Sequence, residues 1–261
     1  MLAACFGLFV GILLGLTGGG GGILALPILM LVLGYNFEEA KPIALFAIAL
    51  SASWAALEGI KKGIVRYRAA VFMAMIGVAF APLGLWLAHY VAVEIVLSIF
   101  TLLLIYTSIQ MWNKSKQQFV EHDRTITPCQ INPKTGRLAW TSPCFQRLTL
   151  LGGSSGLLSG LLGIGGGMII VPGMKKISDV HMHSIVATSL TVVALVSLIT
   201  LFFISYQGLN LHPNSYSFIV FTLIGLMLGR QLISYIPTHL LQRLCAILLM
   251  LSAGLMAIRF I

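Results

Sequence analysis

Ionisable side chains are scarce. Aspartate and glutamate together number seven in 261 residues, and all charged residues make up 9% of the chain. A soluble domain carries about a quarter charged residues, so that class is excluded. Hydrophobic residues fill the gap at 58%, with a mean hydropathy of +0.99. The chain is expected to be an all-α polytopic membrane protein, with the lipid bilayer as its first partner. No basic stretch precedes the first apolar run in Met1–Ala4, so that run is expected to stay in the mature protein. The spans hold no paired carboxylates, no nucleophile with a base and no metal-type cluster, so the sequence argues against an enzyme and implies no cofactor. Phosphate-loop and dinucleotide motifs are missing too. No Gly-Lys-Ser/Thr follows the glycines, and Met168 stands where the second copy would need its last glycine. The four cysteines, Cys5, Cys129, Cys144 and Cys245, form no CxxC pair. Cys5 and Cys245 lie in apolar runs and are expected in the core. Cys129 and Cys144 lie in a polar loop read as cytoplasmic, where free thiols are expected.

What is abundant is glycine, and its placement organises the chain. Gly15-Leu-Thr-Gly-Gly-Gly-Gly-Gly-Ile-Leu-Ala-Leu-Pro27 has a twin in Gly160-Leu-Leu-Gly-Ile-Gly-Gly-Gly-Met-Ile-Ile-Val-Pro172, an offset of 145 residues (160 − 15). The same offset carries Gly11 to Gly156, Gly63 to Gly208, and Leu87-Ala-His-Tyr-Val91 to Leu232-Ile-Ser-Tyr-Ile236. Glycine is a poor helix former, so each stretch is expected to be a half-helix, an irregular turn and a second half-helix. Irregular backbone survives in a membrane only when buried in protein or lining a cavity. Glycine-interrupted segments at matching places in two halves point to a transporter's substrate site.

Eight apolar segments lie near 5–33, 42–60, 69–90, 94–112, 148–174, 184–206, 215–236 and 240–260. They divide the chain into a first membrane repeat, 1–112, a polar linker, 113–147, and a second repeat, 148–261. The linker stretch 129–141 has the pattern of a small hairpin around Asn-Pro-Lys-Thr-Gly. Pro82, inside the third segment, is expected to kink it. Gly7-xxx-Gly11-xxx-Gly15 and Gly225-xxx-Gly229 put small residues on one helix face. Packing within the bundle is the plain reading of these faces, and a homodimer seam the sharper one.

The net charge of +9 arises from basic clusters between apolar runs. That is the positive-inside pattern of cytoplasmic loops, and no nucleic-acid partner is expected. Lys61, Lys62, Arg66 and Arg68 mark one cytoplasmic loop, and the linker is a second. The Lys175-Lys176 loop is cytoplasmic only if the fifth segment dips in and returns. Applied to both halves, this leaves three spans each, and the halves become inverted repeats. Four full crossings per half would make them parallel, and the charge pattern favours the inverted form.

Among candidate substrate contacts the turns come first: Gly18, Gly19, Gly20, Gly21 and Gly22, with Gly163, Gly165, Gly166 and Gly167. Their second half-helices, expected from Ile23 and Met168, would aim free N–H groups and a positive dipole end at an anion. Successive glycine amides can form an anion nest. Positive φ or close backbone approach is the expected reason for glycine in both turns. Thr17, Thr188 and Ser189 offer hydroxyls. Arg230 is a deep basic residue, either an anion gate or a side chain snorkelling to the interface. Glu58 is expected to pair with Lys61 or Lys62. His181-Met-His183, in a chain with eleven methionines, keeps a metal-ion carrier as a minor alternative. The leading reading is secondary transport of a small anion, coupled to a proton or ion gradient or to none. A passive small-anion channel is the rival.

These motifs resemble the sulfite exporter TauE/SafE family, within the toluenesulfonate uptake permease superfamily. The resemblance rests on Gly160-Leu-Leu-Gly-Ile-Gly-Gly-Gly with Pro172, on Ala187-Thr-Ser-Leu190 and on Gly225-xxx-Gly-Arg-Gln-Leu232, with Gly15 to Pro27 as the first-half counterpart. Where the second half has Ala187-Thr-Ser-Leu190, the first has Pro42-Ile-Ala-Leu45, without hydroxyls. The resemblance implies a transporter, in a bacterial cytoplasmic (inner) membrane, of sulfite, a sulfonate or a related organosulfur anion.

Overall fold

The computed structural model describes residues 1–116, 129, 141–206, 213–232 and 238–260. Among them are ten α-helices: α1 Leu2–Thr17, α2 Ala25–Leu31, α3 Phe37–Lys61, α4 Tyr67–Tyr90, α5 Val93–Lys116, α6 Ser142–Leu162, α7 Gly167–Ile177, α8 Met182–Tyr206, α9 Pro213–Leu232 and α10 Thr238–Phe260. Six are long and apolar enough to cross a membrane, namely α3, α4 and α5 in the first half and α8, α9 and α10 in the second. The protein is all-helical in its described part and its helices recur at the repeat offset. The bounds of α8 are those of α3 moved by 145 residues (182 − 37 and 206 − 61).

Local chemistry accounts for the helix ends. Asn36 and Glu39 form a capping box at the start of α3, and Glu38 and Glu39 complement its dipole there. Thr141 caps α6 by accepting a hydrogen bond from the Cys144 N–H. Gly18 and Gly163 end α1 and α6 in the left-handed region at φ 68° and 74°, where a side chain would be strained. Beyond each stop the chain folds back. Gly21 lies against the backbone of Leu13 and Leu14, Gly166 against Ser155, and Gly173 against the Leu151 side chain.

Small residues set the packing. A Cβ on Gly7, Gly11 or Gly15 would strike the carbonyl oxygen of Phe218, Thr222 or Leu226, so α1 lies backbone-close and parallel to α9. The other half repeats this with α6 on α4: Gly152 meets the Met73 carbonyl, Gly156 that of Gly77 and Gly160 that of Ala81. The small-residue faces on α1 and α9 are therefore spent on each other within the chain. Between these pairs α3 runs antiparallel to α8. A Cβ on Gly59 would lie 3.2 Å from the Ala187 Cβ, whereas Ile48 shares the contact around Gly165 with Val193 and Ser197. Packing of α5 on α10 includes a 2.8 Å hydrogen bond from the Ser108 hydroxyl to the Ala246 carbonyl. Large apolar side chains such as Trp86, Leu102, Phe202 and Leu251 face outward, as lipid contact requires.

Two expectations about cysteine are corrected. Cys129 and Cys144 form a disulfide, not free thiols. The Cys129 N–H bonds the Ile177 carbonyl at 2.9 Å, and this holds Cys129 on the end of α7, beside Cys144 in the first turn of α6. The free-thiol expectation rested on the compartment assigned to the loop, whereas the two residues, 15 apart in sequence, come within 5.0 Å at their Cα atoms. Cys5 is exposed, while Cys245 is buried as expected. In a bilayer an apolar run turns one face to lipid, so membership of the run does not by itself place a residue in the core. The linker hairpin falls outside the described residues, apart from Cys129, which makes an isolated parallel bridge with Ser178. Pro82 sits inside α4, which continues helical on both sides of it.

Candidate functional site

A cavity of about 190 Å³ opens where the first glycine turn meets the linker ends of α5, α7, α8 and α10. The first turn contributes Leu16, Thr17, Gly20 and Ile23, and α5 contributes Thr107, Gln110 and Met111. From α7 come Met168, Val171, Pro172 and Lys175. The starts of α8 and α10 add Met182, His183, Val186, Leu241 and Gln242. The volume is below the roughly 300–1,000 Å³ of pockets that hold drug-sized ligands, so it suits a small solute. Its lining is largely apolar with a few polar groups: two carboxamides, two threonine hydroxyls, one imidazole and the Lys175 ammonium. No carboxylate is among the lining residues. The charge balance favours an anion over a metal cation. Among the described residues, no three His, Cys, Asp or Glu side chains gather as a metal site.

Thr17 shapes the first turn. Its hydroxyl donates to the Leu13 carbonyl at 2.7 Å and accepts the Gly21 N–H at 2.7 Å. That amide is therefore occupied, and Thr17 both faces the cavity and locks the turn. Of the helices beyond the turns, α2 starts two residues later than the expected Ile23 and α7 one residue earlier than the expected Met168. A 3₁₀ turn over Gly21–Leu24 precedes the seven-residue α2, and α7 starts at Gly167 after Gly166 at φ 66°.

The candidate glycines divide by environment. Gly18, Gly19, Gly163, Gly165 and Gly166 have positive φ. Gly20 does not, at φ −68°, and Gly21, Gly22 and Gly167 are likewise absent from the positive-φ set. Both expected reasons for glycine are thus present, positive φ at the first five of these positions and close approach at others. Gly21 needs room against Leu13 and Leu14, and Gly22 lies against Ile48 and Leu14. Gly18 packs on Val186, Gly163 on Lys41, Gly165 on Ser197 and Val193, and Gly166 on Ser155. Gly20 alone of the nine lines the cavity.

Other candidates lie elsewhere. Thr188 is fully buried; its hydroxyl donates to the Ser184 carbonyl at 2.6 Å and accepts the Arg66 N–H at 3.1 Å. It thereby holds the loop after α3. Ser189 is buried, and its Oγ has no hydrogen-bond partner among the described residues. Arg230 donates to the Ala55 carbonyl at 2.8 Å and pairs with Glu58 at 3.1 Å. Glu58 also pairs with Lys62 at 2.6 Å. Arg230 ties α9 to α3 and does not line the cavity.

The sequence patterns do not single out Lys175, Thr107, Gln110 or Gln242 for a site, and they raise His183 only as a metal ligand. One signal was present. Counted from Gly167, the residues Met168, Val171, Pro172 and Lys175 recur at helical spacing and form one face of α7. Lys175 thus sits two turns from the glycines on the face that lines the cavity. The α5 and α10 residues reach it only through tertiary packing.

Comparison with known proteins fits this architecture. The sulfite exporter TauE/SafE family model matches residues 3–256. A "Probable membrane transporter protein" of Xylella fastidiosa (strain Temecula1) is 30% identical over 248 residues, covering 94% of this chain and 89% of that one. One of the same name from strain 9a5c is 30% identical over 249 residues, with the same coverage. A probable membrane transporter protein of Methanocaldococcus jannaschii is 27% identical over 217 residues, 81% of this chain and 73% of the relative. With the family model spanning both glycine turns and nearly the whole chain, this protein belongs to the sulfite exporter TauE/SafE family and is a membrane transporter, not an enzyme.

Proposed function

We propose that the chain carries a small sulfur-containing anion, such as sulfite or a sulfonate, by alternating access around a site between the two glycine turns. The observation that carries this reading is the cavity against the first turn, where Lys175 is the one charge of fixed sign and no carboxylate faces it. The Gln110 and Gln242 carboxamides supply hydrogen-bond donors, whereas the Thr17 proton is already given to the Leu13 carbonyl, so Thr17 contributes contact and not a donated bond. Hydrogen bonds to a charged group contribute about 1.5–3 kcal/mol each, enough for the reversible binding a carrier needs. Of the candidates, Thr17 and Gly20 are the ones we assign to direct contact. Arg230, held by Glu58, acts on the packing of α9 against α3.

The two halves are inverted repeats in this reading. Support comes from the fold-back after Thr17 and after Leu162, from three span-length helices in each half, and from α3 antiparallel to α8. Parallel halves would have α3 and α8 run the same way. With Lys61, Lys62, Arg66, Arg68, Lys175 and Lys176 at the linker end, that end faces the cytoplasm by the positive-inside rule. The membrane is the bacterial cytoplasmic membrane, and driving force comes from an ion gradient or from the substrate gradient alone. The test is uptake of radiolabelled sulfite and of a sulfonate into proteoliposomes. Saturable, mutually competitive uptake supports a carrier. Flux that rises linearly with concentration means a channel, and absence of flux for every small anion ends the reading.

A further inference from the structure

Moving each lining residue of the cavity through the repeat offset gives a counterpart set on the face opposite the linker, shut over at four positions while Glu38 and Leu255 in it are exposed. Leu16 and Thr17 correspond to Leu161 and Leu162, Lys175 to Met30, and Gln242 to Leu97; these four are all buried. The correspondence extends to contacts. Gly18 packs on Val186 beside the open cavity, and Gly163 packs on Lys41 beside the shut one, with 163 − 18 and 186 − 41 both 145. Where one half uses valine to cover its glycine turn, the other uses lysine.

That lysine is 8% exposed. Its ammonium stands 6.0 Å from the centre of the Phe37 ring, and it makes no ion pair among the described residues. Glu38, the counterpart of His183, is exposed one turn earlier and does not pair with it. Valine would satisfy the packing, as Val186 does. A buried ammonium without a carboxylate is costly, and an ionisable residue inside a membrane bundle marks a substrate path by default. On the transport reading above, the two faces exchange roles when the carrier turns over, and the shut side becomes the open one.

We propose that Lys41 is the anion-binding cation of the cavity that opens on the face opposite the linker, the partner in function of Lys175 on the linker face. A small oxyanion then meets one lysine in each state, Lys41 beside the second glycine turn and Lys175 near the first.

The experiment is sided transport of radiolabelled sulfite in proteoliposomes of known orientation. Lys41→Met and Lys41→Gln should raise KM about tenfold or more for sulfite offered opposite the linker, as loss of a charged hydrogen bond predicts. KM from the linker face should hold. Lys175→Gln should give the reverse pattern, and Lys41→Arg should restore near-normal KM. A second readout removes dependence on one substitution. With Cys5 and Cys245 replaced, Lys41→Cys should react with an impermeant anionic thiol reagent from the face opposite the linker, and sulfite should slow the reaction. Unchanged KM from both faces in Lys41→Met, or Lys41→Cys that is inert or indifferent to sulfite, overturns the assignment. Wild-type protein that carries no small anion overturns the transport reading itself, a separate outcome.

Discussion

Gly19 and Gly167 touch. The Cα of Gly167 lies 3.0 Å from where a Cβ on Gly19 would stand, and the Cα of Gly19 lies 2.9 Å from a Cβ on Gly167. The two glycine turns therefore meet backbone to backbone, and a side chain on either residue must push them apart. Gly167→Ala should lower stability by about 1–3 kcal/mol, the usual cost of overpacking, and should depress turnover further than that loss explains. Melting temperature and initial uptake rate, measured together, check this.

Arg230 and Glu58 make a different prediction. They join the ends of α9 and α3 at 3.1 Å, with side chains 15% and 32% exposed. Partial exposure limits such a pair to about 1 kcal/mol or less. Arg230→Gln and Glu58→Gln should each slow maximal transport modestly, leave KM nearly unchanged, and combine without adding. A large rise in KM with Arg230→Gln alone would place the arginine in contact with substrate.

Topology can be read with an impermeant thiol reagent. Ser178 is buried, with its hydroxyl bonded to the Met174 carbonyl, so a cysteine there would report burial instead of side. Lys176 is exposed. Lys176→Cys, with Cys5 and Cys245 replaced, should label only after permeabilisation if the linker end is cytoplasmic and the halves are inverted. Labelling in intact cells would favour full crossing by the glycine-broken segments.

The disulfide gives a simple chemical count. Alkylation of denatured, unreduced protein should modify Cys5 and Cys245 only, and reduction should release Cys129 and Cys144. Four reactive thiols before reduction would contradict the bond between the linker and α6.

Much of the fold was legible because a membrane leaves little choice. Scarce charge and apolar runs of span length allow only helices in a chain of this kind, and an offset seen in Gly15 and Gly160 reappears in the bounds of α3 and α8. The turns were legible because glycine clusters inside apolar runs are costly unless irregular backbone is wanted. What each glycine does was not. Gly20 and Gly21 are neighbours of the same type, yet one lines the cavity and the other packs on Leu13, and only the path of the turn separates them. Lys175 was visible as a topology marker, but its role depends on α7 folding back along α6. Gln110 and Gln242 are brought together by α5 packing on α10, which no local pattern encodes.

Gly20 offers the most direct test of the central claim. Its φ of −68° accepts any side chain, and the nearest neighbours of a Cβ there are the terminal methyl of Met111 at 3.0 Å and Thr17 at 3.5 Å. A leucine would thus enter the cavity without straining the turn. The measurement is equilibrium binding of radiolabelled sulfite to purified wild type, Gly20→Ala and Gly20→Leu. The account predicts saturable binding to wild type, displaced by a sulfonate and not by an organic cation. Binding should be close to normal in Gly20→Ala and lost in a well-folded Gly20→Leu. Normal sulfite binding by Gly20→Leu would contradict the account.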